Sequence, residues 1–567
     1  MNQVVWLVLR RMRQPFLVLI CVYSISIMGM VLMPGVEQNG LATHMDFFHA
    51  IYFVSYTSTT IGFGEIPVAF SYAQRMWAML CIYMSVVAWL YSIGSILTLI
   101  QDKAFRQALV ERSFARGVRK IKEPFYLQCG YGEAGALLVK SLTNYNIQMV
   151  VLDRNQDRIN ALSLQDQKLP LHVPGLCADA EIPEHLLEAG LKHPLCARVI
   201  ALTDSDRINL KIALTSKLLN PKVKVVASAS SAETQANIAS FGTEDVVDAF
   251  GIFAETIALA LHSPDQYLLR EWLSGISHRK FTKPRVPPRG KWIICGYGRL
   301  GHFLIQHLED EDLPTVVIEV NDQIEPPPEG MIIGAGTEAH TLHEADVEGA
   351  VGIVAGTDDD LNNLSIIMTA RELNPDLFVV ARQNRESNTA LFKELEADMI
   401  LNPGQVLADK IRGLVTMPRL SEFFEHVSQY DNKWAKGLFN RLDELIGTEA
   451  SPDIWVVKIN QASAPAILDM LLYGNEMMIE HLLVHPYKRD KQLKAYPLFL
   501  IRGEERRLMP TVKTPLKPLD RILFCGADRA YHRMQLLIND RYLLEQVVLD
   551  QDIPRSTVLR WALERNK

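Results

Sequence analysis

Two long, uncharged apolar runs near the N-terminus, Phe16–Met33 and Trp77–Ile100, constrain this chain more than any other feature. A helix needs roughly 20 apolar residues to cross a hydrocarbon core of about 30 Å, so each run predicts a membrane-spanning helix. Pro34 ends the first run. Arg10, Arg11 and Arg13 ahead of it would also suit a secretory signal. A mature exported protein has no need of a second span, and no small-residue cleavage site is evident. Lys103, Arg106, Arg112, Arg116, Arg119 and Lys120 follow the second run, whereas no Lys or Arg lies between Gln14 and Gln74. The positive-inside rule then places both termini in the cytoplasm and the intervening loop outside.

That loop carries Thr59-Thr60-Ile61-Gly62-Phe63-Gly64-Glu65, preceded by Met45–Ser58, which is apolar and aromatic but too short to cross. The shorter segment reads as a re-entrant pore helix, sheltered by protein rather than lipid. A loop that dehydrates a monovalent cation has to offer backbone carbonyls in place of water. Glycine at alternate positions lets an extended backbone turn its carbonyls inward. Thr60–Gly64 resembles the potassium-channel selectivity filter. The resemblance implies K+ as the permeant ion, held by the carbonyls of Thr60, Ile61, Gly62 and Phe63 and by the Thr60 hydroxyl. It also implies a homotetramer, because each chain supplies one strand of a four-part ring. Phe63 and Glu65 stand where the commonest pattern has Tyr and Asp, so the usual phenol brace on the filter is missing. Gly94 is the second span's one glycine and a candidate gating hinge, with close helix packing as the alternative. Gln101–Lys122 has a helix-forming, basic composition and is expected to be a solvated helix, a mechanical connector, or both.

The whole chain has 567 residues, 48% of them hydrophobic and 22% charged, with a net charge of −7. This balance argues against a nucleic-acid binder and fits a soluble body carrying a small membrane part. Its seven cysteines lack CxxC or Cys/His metal spacing and read as reduced.

Within the soluble body, Phe125–Cys129 leads into Gly130-Tyr131-Gly132-Glu133-Ala134-Gly135, and Trp292–Cys295 leads into Gly296-Tyr297-Gly298-Arg299-Leu300-Gly301. Each is strand, GxGxxG, helix. The first glycine allows the tight turn, the second the approach of a phosphate, the third close helix–strand packing, and the helix N-terminus supplies amide donors. A following apolar run ends in an acid suited to ribose hydroxyls, Asp153 in one copy and Glu319 in the other, at the same spacing from the glycines. Thr203-Asp204-Ser205-Asp206 with Asn209 recurs as Thr357-Asp358-Asp359-Asp360 with Asn363, and Leu219-Asn220-Pro221 as Leu373-Asn374-Pro375. Between acid and threonine the second copy is shorter: where the first has the helix-compatible Asn155–Leu164, it has Ile324-Glu325-Pro326-Pro327-Pro328, which cannot be a helix. The chain therefore contains a duplicated Rossmann-like unit.

The pair resembles RCK (regulator of potassium conductance) domains in tandem behind a two-transmembrane prokaryotic potassium pore, and the resemblance covers nearly the full length. Asp179 in Ala178-Asp179-Ala180 matches the family's GDA turn; Ala335 takes the acid's place in the second copy. The fold class implied is an α-helical two-transmembrane pore domain (1–101) and a helical connector (102–123). Two α/β Rossmann-like RCK domains (124–289 and 290–427) follow, with an α+β C-terminal lobe (428–567). Phe250–Leu273, interrupted at Pro264, and Gln405–Val427 are the helical stretches that the family uses for its flexible, dimerising face.

The resemblance further implies a ligand-gated channel in the inner membrane of a prokaryote, in contact with lipid and regulated by NAD or an adenine nucleotide (ADP, AMP or ATP). The expected contacts are the two glycine motifs with Asp153, Asp179, Thr203, Asp204, Glu319, Thr357 and Asp358. Arg299 is expected to donate to phosphate, whereas Glu133 would repel it unless turned away. Calcium at Asp358-Asp359-Asp360 is a further possibility, although three consecutive acids lack the alternate spacing of a calcium loop, and no divalent site is assigned. No catalytic constellation is found, so no enzyme is expected. The alternatives are a nonselective cation channel with the same gating ring, a membrane-anchored NAD-dependent oxidoreductase, and a bare regulatory subunit of a potassium transporter.

Overall fold

The computed structural model describes residues 3–38, 41–65, 69–243, 245–275, 279–323 and 326–549. Ile324 and Glu325 of the proline-rich segment lie outside the described residues. Two compact units part at Lys122 and Glu123.

In the first unit, the two apolar runs form helices Gln3–Leu32 and Tyr72–Gln101. Their stretches Met12–Leu32 and Tyr72–Gln101 are long and apolar enough to cross a membrane. Phe47–Ser58 is the expected half-helix, started by Asp46, whose carboxylate accepts the His49 amide at 2.7 Å. A hairpin, Pro34–Gln38 with Leu41–His44, precedes it. Ser71 and Gln74 form a capping box at the second span. The spans meet through Trp77, whose indole donates to the Ser26 carbonyl at 3.1 Å. A Cβ on Gly29 would stand 2.0 Å from that indole, so only glycine allows this crossing. The pore helix fills the wedge with Ala50, Phe53, Val54 and Tyr56, packed against Met30 and Ala78. The second span runs unbroken through Gly94, where an added Cβ would meet nothing of its own chain within 4 Å. The connector helix is Lys103–Arg119.

The second unit holds two six-stranded parallel sheets of one topology. From edge to edge the first runs Gly175–Cys177, Gln148–Asp153, Phe125–Cys129, Cys196–Ala201, Lys224–Ser228, Asp245–Val247. The second runs Ile332–Ile333, Thr315–Glu319, Trp292–Cys295, Gly352–Ala355, Phe378–Arg382, Met399–Leu401. The chain starts in the middle of each sheet, works to one edge, then crosses to the other side. The crevice of a doubly wound fold opens at that reversal, above the glycine turn. The duplication extends to single bonds: Asn209 Oδ1 accepts from the Thr203 amide and hydroxyl at 2.9 and 2.8 Å, and Asn363 treats Thr357 likewise at 2.9 and 2.7 Å.

Crossover helices Ala249–His262 and Pro264–Ser274 follow the first sheet, and Pro403–Thr416 and Pro418–Val427 the second. The first helix of each set is exchanged, whereas the second helices pack together with the C-terminal lobe. Phe253, Ile257 and Leu261 of the first repeat pack with Leu300, Leu304 and Leu308 of the second. Ala408 and Ile411 of the second repeat pack with Leu138, Val139 and Leu142 of the first. The C-terminal lobe is a four-stranded antiparallel sheet in the order Asp453–Lys458, Arg521–Gly526, Ala495–Arg502, Glu505–Leu508. It is pinned by Arg502, which grips fully buried Asp520 at 2.8 and 2.7 Å.

Candidate functional site

The loop Thr59–Glu65 hangs from the last turn of the pore helix: Thr60 N donates to Thr57 O, and Ile61 N and Gly62 N to Tyr56 O at 3.1 and 3.2 Å. Beyond that anchor, φ is +61° at Thr60, +60° at Gly62 and +76° at Gly64. Reversing the sign of φ at every second residue turns successive peptides over, so that carbonyls which alternate in an ordinary strand share one side. Thr60 adopts this conformation despite a branched Cβ, a cost of about 1–3 kcal/mol that persists where function requires the geometry. The negative end of the pore-helix dipole lies at the same place and favours a cation.

The brace that Phe63 lacks comes from elsewhere. Tyr56 donates to the Glu65 carbonyl at 2.6 Å, and Tyr52 to the Glu65 carboxylate at 2.9 Å. The two tyrosines lie one turn apart on the helix behind the loop. Neither was legible as a brace, because the residue they hold is Glu65 rather than the missing tyrosine's position.

In the first repeat, Gly130 has a φ of +104°, and a Cβ there would lie 2.2 Å from the Leu202 carbonyl oxygen. On Gly135 it would lie 2.4 Å from the Gly130 carbonyl oxygen. Both glycines are required by the turn and its packing. Gly132 is not: its φ is −76°, and nothing stands closer than 3.8 Å to an added Cβ. The second repeat repeats the distinction. Gly296 has a φ of +101° and Gly301 would clash at 2.2 Å, whereas an added Cβ on Gly298 meets nothing within 4 Å. The helices that begin after Gly132 and Gly298 have no side-chain cap, leaving their first amides available to an anion.

A cleft opens above the first glycine turn and brings together the candidates Gly130, Asp153, Asp179, Thr203 and Asp204 with Arg154 and Arg158. Asp153 is buried; its oxygens accept from Tyr131 N at 2.6 Å and Asn155 N at 2.7 Å. Asp179 Oδ1 accepts the Glu181 amide at 2.9 Å. Arg158 was missed by the sequence reading. It lies on helix Gln156–Asp166, in the stretch by which the first copy is longer, and bridges Asp153 and Asp204 at 3.4 and 3.3 Å. Burial alone would lower its pKa, but Asp204 and Asp153 outweigh that and raise it. Glu133 is turned away from the glycine turn: its Oε1 accepts the Glu386 amide of the second repeat at 3.4 Å. Ala134 lies under Gly404, whose Cβ, if present, would be 3.2 Å from the Ala134 nitrogen.

In the second repeat, Glu319 accepts from the amides of Tyr297, Val320 and Asn321 at 2.7, 2.9 and 3.1 Å. Leu300 is buried beneath the turn, while Thr357 and Asp358 follow the neighbouring strand. Arg299 departs from expectation. Its guanidinium stacks on Phe250 of the first repeat, 4.6 Å from the ring centroid, with Arg382 4.9 Å from the same ring. An aromatic face brought over by the exchanged crossover helix holds the arginine that was expected to donate to phosphate.

The acidic run beside it is engaged by its own loop and helix. Asp359 caps its helix by accepting the amides of Leu361 and Asn362. Asp360 accepts from Asn384 N, Arg385 N and Asn388 Nδ2. Two of the three carboxylates are thus committed to backbone and loop, and among the described residues no group of three or more His, Cys, Asp or Glu side chains could hold a metal ion.

Residues 16–102 match the ion channel family, and residues 126–249 and 292–403 each match the TrkA-N domain. Potassium channel protein 1 of Methanocaldococcus jannaschii is 24% identical over 220 residues, 39% of this chain and 64% of that protein. The probable potassium channel protein 2 of the same organism is 28% identical over 207 residues, 36% of this chain and 58% of that protein. This chain spans less than two thirds of the length of either relative. A solved structure described as the GsuK channel bound to NAD is 16% identical, covers 97% of this chain and 100% of its own, and has a TM-score of 0.46. The chain thus joins an N-terminal segment that matches the ion channel family to two TrkA-N domains, and its similarity to these potassium channel proteins covers part of its length.

Proposed function

We propose that the chain is one subunit of a homotetrameric, potassium-selective channel in a prokaryotic inner membrane, with both termini cytoplasmic and its opening set by a nucleotide. The observation that carries the pore reading is the alternation of positive φ through Thr60, Gly62 and Gly64 at the end of a half-helix between two spans. Four such strands around an axis make the ring of carbonyls that replaces the ion's hydration shell. The regulatory reading rests on Gly132 and Gly298, glycines that neither backbone conformation nor packing requires, each opening a helix with uncapped amides. A bound phosphate is what gives such a glycine its purpose. The ligand, NAD or an adenine nucleotide, gates to the extent that it binds one arrangement of the repeats better than another, and the connector Lys103–Arg119 passes that bias to the second span.

The test is potassium against sodium flux through purified protein in liposomes, with and without NAD and ADP. Potassium-selective flux altered by either nucleotide is expected. Equal sodium flux would replace this reading with a nonselective cation channel, and flux indifferent to both nucleotides would remove the regulatory half.

A further inference from the structure

Arg158 lies over the one glycine of the first turn that packing does not explain: its guanidinium carbon is 3.8 Å from where a Gly132 Cβ would be. Its side chain is 37% exposed and lines the cleft. Its ion pairs at 3.4 Å to Asp153 and 3.3 Å to Asp204 are longer than the 2.7–2.9 Å of a well-formed charge-assisted bond, so the arginine is loosely held. Without it the cleft would present Asp153, Asp179 and Asp204 against Arg154, a balance hostile to phosphate. The second repeat, shortened at this point, has no counterpart helix between Glu319 and its next strand among the described residues.

We infer that Arg158 is a displaceable latch that selects ligands carrying a ribose next to a diphosphate. This rests on the nucleotide reading of the first glycine turn. The latch works by exchange. Asp153 Oδ2 accepts from both the Tyr131 amide and Arg158. When the guanidinium turns to a diphosphate seated on the glycine turn, that oxygen is freed to accept a ribose hydroxyl. A nucleoside diphosphate satisfies both halves of the opened pair. Adenosine replaces the arginine at Asp153 but leaves the guanidinium without phosphate, and pyrophosphate does the reverse. The specificity determinant is therefore the pair, not either residue alone.

Binding of ADP, adenosine and pyrophosphate is measured calorimetrically on the full-length detergent-solubilised protein, with Gly298→Leu filling the second turn. Arg158→Gln is expected to weaken ADP at least tenfold while adenosine, which no longer competes with the guanidinium for Asp153, binds more tightly than to the native protein, and Arg158→Lys to restore part of the ADP loss. Melting temperatures are recorded for each variant. Unchanged ADP affinity in a folded Arg158→Gln protein, or equal proportional losses for ADP and adenosine, would overturn the latch. Failure of the Gly298→Leu protein carrying native Arg158 to bind ADP or NAD would overturn the nucleotide reading itself, and the latch with it.

Discussion

At the scale of single residues, the glycine motifs separate into positions that build the turn and positions that leave room. Gly132→Ala and Gly298→Ala place a methyl group where nothing opposes it, so folding stability should change by less than about 0.5 kcal/mol while nucleotide affinity falls at least tenfold. Gly135→Ala and Gly301→Ala push a methyl into a carbonyl oxygen at 2.4 and 2.2 Å and should cost about 1–3 kcal/mol. Melting curves and binding isotherms on the four variants check both halves. Asp360 carries a pH dependence. Burial would raise its pKa, but hydrogen bonds from Asn384, Asn388 and Arg385 outweigh this and hold it below the ordinary carboxylate value. A depressed folded-state pKa means the stabilisation is present above the unfolded-state value and is lost as pH falls through the folded one. Wild type should therefore lose stability on acidification in this range, and Asp360→Asn should flatten that part of the curve in denaturant melts taken at successive pH values. The residues that sequence reading misplaced share one cause. Arg299 was assigned to phosphate from its place in the motif, but Phe250, remote in the chain, decides where its guanidinium lies. Arg158 was overlooked because its partner Asp204 is also distant in sequence.

At the scale of elements, local pattern was the reliable guide. The spans, the half-helix and both strand–glycine–helix units were legible because hydrophobic run length and GxGxxG spacing are local properties. The half-helix and the second span start a few residues from their expected positions, where Asp46 and Ser71 cap them, whereas the helix of the first span begins well before its apolar run, at Gln3. What holds the loop proposed as the filter was not legible, since the expected phenol was absent and the substitute bonds run from the helix behind it. Tyr56→Phe removes a 2.6 Å bond to the Glu65 carbonyl and Tyr52→Phe a 2.9 Å bond to its carboxylate. At about 0.5–1.5 kcal/mol each, the pair should cost 1–3 kcal/mol of filter stability. The double variant is expected to admit sodium, read as a shift of reversal potential toward the sodium side under bi-ionic conditions. An unchanged potential would mean that the bonds hold a loop edge outside the ion path. Gly29→Ala, facing the Trp77 indole at 2.0 Å, should instead lower the yield of assembled protein without altering selectivity.

At the scale of the whole second unit, the exchanged crossover helices make the two repeats one folding unit. Duplication was evident from recurring motifs, but exchange was not, because apolar periodicity shows that a helix buries a face without showing whose core receives it. Phe253, Ile257 and Leu261 belong in sequence to the first repeat and in space to the second. Ala408 and Ile411 make the reverse journey. Side chains of this size are worth about 1.5–3 kcal/mol each when buried, which is comparable with a domain's entire stability of about 5–15 kcal/mol. Cutting the chain between residues 289 and 290, where the first repeat gives way to the second, would therefore expose an apolar helix face on each half. A fragment of residues 124–289 should self-associate or aggregate in size-exclusion chromatography, whereas residues 124–567 should remain stable and melt in a single transition across both repeats. A soluble, monomeric 124–289 fragment with cooperative melting would show that the exchange is not needed for folding. The same construction bears on gating. Glu133 beside one nucleotide turn reaches the Glu386 amide in the other repeat, and Phe250 of the first repeat sits on Arg299 at the other turn. A phosphate arriving at either turn meets a contact that already joins the repeats, so binding at one should alter affinity at the other. Nucleotide isotherms for Glu133→Gln and Phe250→Leu should then show a changed coupling between the two sites, with each site's own affinity recovered when the other is filled by Gly132→Leu or Gly298→Leu.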